Sequence, residues 1–128
     1  VREIKMLLLM SRMKTVNTVD DEKYMGHPNI MKLYDAIDTQ RQLYLVLENC
    51  KGQMLNVVAK QNSQSSNTSY RRNLSETMCA KIFYQIMIAM QFYHNLNISH
   101  RDIKLENILV DTSHPDLPTK IIDFGFAT

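Results

Sequence analysis

The chain has 128 residues, 45% hydrophobic and 22% charged, with a formal net charge of +2. These are ordinary values for one small globular domain with a buried core, and the charge is too small to point to nucleic acid or a membrane surface. The longest apolar run, Met6 to Met10, falls far short of the roughly 18 residues of a membrane span and lacks the small-residue cleavage site of a secretory signal. Cys50 and Cys79 fit neither a disulfide framework nor a metal-ligand spacing. They are read as small buried apolar residues of a reducing, intracellular, cytoplasmic setting.

In chain order, residues 1–25 begin with an apolar, helix-like stretch (Ile4, Leu7, Leu8) and turn polar from Thr15 to Lys23. Gly26-His27-Pro28-Asn29 is a turn signal, because proline removes a donor and biases His27 away from helix. Two strands are expected next, Ile30–Tyr34 and Leu43–Leu47, joined as an antiparallel hairpin across the polar Asp38–Gln42. Lys51-Gly52 ends the second strand, and Met54, Leu55, Val57 and Val58 suggest a short helix. Gln61 to Asn73 is almost wholly polar and is read as a solvated loop.

The strongest helix opens at Ser75, a good N-cap, with Glu76 in its first turn. Its apolar stripe is Met78, Ile82, Phe83, Ile86, Met87, Met90 and Tyr93, the 3.6-residue repeat of a core helix. After it come Ile98, a polar knot from Ser99 to Asn107, a strand Ile108–Val110, a loop 111–119 and a strand Lys120–Ile122. The order of elements gives an α+β fold without internal repeats.

Two segments carry chemistry. His100-Arg101-Asp102-Ile103-Lys104-Leu105-Glu106-Asn107 places six charged or polar side chains between an apolar helix and an apolar strand. A plain surface turn would not need Asp, Lys and Asn together. Asp123-Phe124-Gly125 follows an apolar strand directly, where a strand end can present a carboxylate to a cleft.

Together these segments resemble the catalytic loop H-R-D-x-K-x-x-N and the metal-binding D-F-G of eukaryotic protein kinases. The resemblance implies a Ser/Thr-type enzyme similar to the calcium/calmodulin-dependent and AMP-activated group, using ATP and Mg²⁺ to phosphorylate a protein Ser or Thr. Lys104 within D-I-K-L-E-N is the Ser/Thr mark. Asp102 is expected to take the substrate hydroxyl proton, Lys104 to hold the transferring phosphate, and Asn107 and Asp123 to bind the metal. Leu43–Glu48 resembles the fifth strand and hinge, with Leu47 as gatekeeper and the backbone of Glu48 and Cys50 at the adenine edge. Glu106 is placed with the nucleotide site and is also expected to favour a basic residue before the target. Glu3, Leu33, His100, Phe124 and Gly125 are assigned structural or regulatory parts: His100 packs beneath Phe124, and Gly125 permits a backbone that a Cβ would hinder.

The expected organisation is a partial two-lobed kinase domain: 1–47 from the small lobe with an inserted segment near Met13 to Met25, 48–52 as hinge, and 53–128 from the helical lobe. Val1 at the start and Asp123–Thr128 at the end, without turn or cap, give the expectation of a piece of a larger domain, inactive alone. The resemblance also shows departures. There is no G-x-G-x-x-G loop or V-A-I-K lysine, the paired glutamate is Glu3 with Glu22 as second choice, Gln53 replaces a common acidic residue, and Leu105 replaces a common proline. Regulatory partners are not legible. Two other readings are a pseudokinase or scaffold without phosphotransfer, which Asp102, Lys104, Asn107 and Asp123 argue against, and a structural domain with accidental motifs.

Overall fold

The computed structural model describes Ile4, Leu7, Leu8 and Met10, and residues 26–64 and 74–128. The expected α+β composition is present: among the described residues lie small antiparallel sheets, the helices named below and a short 3₁₀ turn. Strands β1 (Leu33–Asp38) and β2 (Leu43–Leu47) form a two-stranded antiparallel hairpin. Its turn is closed by Thr39, whose hydroxyl donates to the Gln42 carbonyl at 2.6 Å and accepts from the Gln42 amide at 3.0 Å. Strands β3 (Gln53–Met54), β4 (Ile108–Val110) and β5 (Thr119–Ile121) form an antiparallel sheet with β4 central.

The first strand starts later than the sequence suggests. Ile30 is used elsewhere, in a parallel bridge to Ile121, with Ile121 N–H donating to Asn29 O at 2.8 Å and Met31 N–H to Ile121 O at 3.0 Å. The turn 27–29 thus commits the next residues to β5, and the hairpin forms only from Leu33 onward. The last strand is likewise one residue earlier than expected.

Helix α1 (Leu55–Gln64) is longer than the short helix expected, and Met54 lies in β3. Four residues assigned to the polar loop, Gln61 to Gln64, continue α1. Their low apolar content hid the continuation of the helix; the rest of that loop lies outside the described residues.

Helix α2 (Glu76–His94) is capped by Ser75, whose hydroxyl accepts from Met78 N–H at 3.2 Å. Ile82, Ile86, Ala89 and Tyr93 are its buried residues, a narrow stripe at i, i+4, i+7 and i+11. Phe83 and Met87, expected in that stripe, are 61% and 45% exposed, because they sit about 100° around the helix. Cys79 is exposed and Cys50 only half-buried, so the expectation of two buried cysteines is corrected.

One core joins α2 to both ends of the chain. It holds Leu7, Met10, Ile30 and Leu33 beside Ile82, Ile86, Tyr93, Ile108, Val110, Ile121 and Phe124. Gln85 ties α2 to the loop before β5: its Oε1 accepts from Thr119 N–H at 3.0 Å and Asn29 Nδ2 at 2.9 Å, while Nε2 donates to Leu117 O at 3.0 Å. The backbone freedom of glycine is needed at Gly52, with φ 108°, where a Cβ would lie 2.5 Å from Val110 O. In the Asp123–Gly125 segment the left-handed residue is Asp123, with φ 61°.

Candidate active site

The loop between α2 and β4 is held open at its start by His100. The ring is buried, 2% exposed, and its Nδ1 accepts the Asp102 amide at 3.3 Å while Nε2 faces Ile122 O at 3.4 Å. An accepting Nδ1 and a donating Nε2 describe the neutral imidazole. Burial, the largest influence, holds its pKa below the ordinary value; the carbonyl of Ile122 and the carboxylates of Asp102 and Asp123 oppose that only in part. His100 thus braces the start of the loop through backbone bonds on both ring nitrogens. Arg101 has a left-handed backbone, φ 64°, and its Nε donates to Phe126 O at 2.7 Å.

Asp102, Lys104 and Asn107 are brought together. Lys104 Nζ donates to Asp102 Oδ2 at 2.6 Å, and Asn107 Nδ2 donates to the same oxygen at 3.0 Å and to Asp102 O at 2.9 Å. The Lys104 hydrogen bond is the main reason that the Asp102 carboxyl stays below the usual carboxylate range, with burial opposing it. Lys104 is held above the usual lysine range, first by its bond to Asp102, with the nearby charges of Asp102, Asp123 and Glu106 adding to it. Glu106 is exposed beside this group.

Asp123 reaches the same region through the backbone: Ile122 N–H donates to Asn107 O at 2.9 Å. Its Oδ1 accepts the Gly125 amide at 3.1 Å. Phe124 is fully buried against His100 and Tyr93, with centroids 4.4 Å and 5.9 Å away. Reciprocal amide–carbonyl bonds between Ser99 and Thr128, at 2.8 and 3.0 Å, fold the following residues back against the start of the loop.

Leu47, Glu48 and Cys50, expected at the adenine edge, lie at the end of β2. Leu47 pairs with Leu33 and is partly exposed. Glu48 N–H donates to Lys32 O at 2.9 Å, and Cys50 N–H to Glu48 O at 3.1 Å. Burial, then the Glu48 charge, raises the Cys50 thiol pKa. The Glu48 side chain reaches Lys120 on β5 at 2.8 Å. Leu33 shares the buried cluster of Leu7 and Phe124. Glu3, Glu22 and the inserted segment lie outside the described residues.

Sequence reasoning missed Gln85 and Lys120. A glutamine inside an apolar helix was a usable signal for the first. A lysine in a short apolar strand was one for the second.

Comparison with known proteins places this arrangement. The protein kinase domain family matches residues 4–128. Calcium-dependent protein kinase 5 of Plasmodium berghei is 43% identical over 107 residues, covering 83% of this chain and 17% of that protein. Calcium-dependent protein kinase 6 of the same organism is 34% identical over 125 residues, covering 94% and 8%. Serine/threonine-protein kinase SIK1 of Rattus norvegicus is 38% identical over 105 residues, covering 81% and 12%. The chain thus spans less than a fifth of the length of these relatives.

Proposed function

Because this chain belongs to the protein kinase family, we propose that the protein transfers the γ-phosphate of ATP to Ser or Thr hydroxyls of protein substrates. The observation that carries this reading is the bonded trio Asp102, Lys104 and Asn107, beside the segment that bears Asp123. The relatives named serine/threonine or calcium-dependent kinases support the acceptor class.

Phosphoryl transfer needs positioning and charge neutralisation more than covalent help. Asp102 has its carboxylate held ionised by Lys104, and it accepts the proton of the attacking hydroxyl. Lys104 carries its cation 2.6 Å from that carboxylate and balances charge on the transferring phosphate. Leu47 and the backbone of Glu48 and Cys50 line the adenine edge, and Glu106 adds a negative charge at the rim.

The donor set fits magnesium. Asn107 commits Nδ2 to Asp102, which leaves Oδ1 for a cation, and Asp123 keeps Oδ2 beyond its bond to Gly125. Two oxygen donors suit Mg²⁺, which takes one or two protein ligands and completes its shell with water and phosphate oxygens. When bound it would supply neutralisation of phosphate charge, with Asn107 and Asp123 as the residues that would hold it.

No helix among the described residues is long and apolar enough to cross a membrane. The test uses the full-length protein with labelled ATP and Ser- or Thr-containing peptides. Asp102→Asn is expected to lower kcat by roughly 10² to 10⁴, with nucleotide still bound. Equal phosphotransfer by wild type and Asp102→Asn removes the assignment. Nucleotide binding without any transfer by wild type favours the scaffold alternative.

A further inference from the structure

The strand that leads into Asp123 is tied to the hinge by a side-chain device that the catalytic reading does not use. Lys120 Nζ lies 2.8 Å from Glu48 Oε1 and 3.0 Å from Oε2, and it also donates to Pro28 O at 2.8 Å. Glu48 in turn accepts the Lys32 amide through Oε2 at 3.2 Å. The two side chains are only 20% and 19% exposed. This is neither a rim ion pair nor a buried one lacking further bonds. Each charged group has a second, backbone partner, which is what makes a shielded pair geometrically specific.

Its position gives it a task. Lys120 lies three residues before Asp123, and Glu48 directly follows Leu47 at the end of β2. Pro28 belongs to the turn whose neighbours, Asn29 and Met31, bond the backbone of Ile121. The pair therefore joins the two-stranded hairpin, the 27–30 turn and the three-stranded sheet at one point. The hairpin is otherwise exposed, with Tyr44 and Leu43 about half open to solvent.

We infer that Glu48 and Lys120 are positioning residues: their ion pair sets the distance and angle between the hinge backbone and the strand carrying Asp123, and so the span offered to a bound nucleotide. The inference rests on the kinase reading, since it assigns the two ends of that span to adenine and phosphate. Neither side chain touches the reacting atoms. Loss of the pair lets the hinge shift while Asp102, Lys104 and Asn107 keep their mutual bonds, so the defect falls on nucleotide binding more than on the chemical step.

The experiment uses the full-length protein and four variants: Glu48→Gln, Lys120→Met, the double variant, and Lys120→Arg. Each single loss is expected to raise KM for ATP roughly five- to tenfold while kcat falls less than about threefold. The double variant is expected to be no worse than the poorer single, because one interaction is removed once. Lys120→Arg keeps the cation and is expected to raise KM less than Lys120→Met does. Hydrogen exchange at the Glu48 and Met31 amides, which bond Lys32 O and Ile121 O, is expected to quicken in the three loss variants. In an active enzyme, an unchanged KM, or KM effects that add in the double variant, overturns the inference. If wild type shows no phosphotransfer, the kinase reading fails instead, and unchanged exchange then overturns the latch as well.

Discussion

His100 and Phe124 pack ring against ring, with centroids 4.4 Å apart, and neither is more than 2% exposed. His100 also holds the amide of Asp102. The start of the 100–107 loop and the residue after Asp123 are thus one packed unit. Movement of Phe124 removes the support of the His100 ring, and with it the support of the Asp102 backbone.

The buried imidazoles make stability pH-dependent. His27 and His100 both have folded-state pKa values below the ordinary 6.5, in each case chiefly from burial, with the Lys120 charge adding at His27. A depressed value means that the unfolded chain binds more protons, so stability rises with pH through this range. The contribution is present above pH 6.5 and is lost as pH falls through the folded-state values. Thermal unfolding from pH 8 to pH 5 is expected to show a falling Tm below about 6.5, and His100→Phe a shallower fall. A flat Tm across that range contradicts the neutral, buried state.

Tyr93 carries a buried hydroxyl without a hydrogen-bond partner among the described residues. Burial pushes its pKa up to about 12, so it stays neutral. Its ring packs edge-on against Phe124. Removing only the oxygen relieves a desolvation penalty and keeps the packing. Tyr93→Phe is expected to raise stability by about 1 kcal/mol in denaturant unfolding; a loss of similar size would mean that the hydroxyl has a partner.

Gly52 is where a side chain cannot be accommodated. Its φ of 108° is rarely open to other residues, and the Cβ would meet Val110 O, C and the Asp111 amide between 2.5 and 2.7 Å. The partners are backbone, so they cannot rotate away. Gly52→Ala is expected to destabilise the protein by about 2 kcal/mol or more, read as a lower denaturant midpoint with an unchanged slope. The β3–β4 pairing is the part disturbed.

Lys104 and Asp102 share one short bond, so their kinetic effects are not independent. Lys104→Ala is expected to lower kcat by roughly 10²-fold or more, and the double variant with Asp102→Asn to fall little below Asp102→Asn alone. Steady-state rates of the three variants decide it. Multiplying effects would show that the shared bond does not couple the two residues in the rate.

Local rules already made much of this chain readable. Ser75 capping α2, the β2 strand and its antiparallel partner, and the two polar segments at 100–107 and 123–125 all followed from residue type and spacing. The errors came where packing overrode local pattern. Phe83 and Met87 are as apolar as Ile82 and Ile86, yet face solvent, because the face that meets the sheet is decided by neighbours distant in sequence. Ile30 looked like the start of a strand and is instead held by Ile121.

Side-chain identity and short spacing determined which atoms could do chemistry here: a carboxylate, an ammonium and an amide within six residues, and a second carboxylate at a strand end. Tertiary structure alone decided what supports them. The bonds of Gln85 to the loop before β5, of Lys120 to Glu48, and of Ser99 to Thr128 join residues 29 to 72 positions apart. No local pattern encodes such pairs, because each forms only after the chain has closed the loops between its partners and shielded them from water.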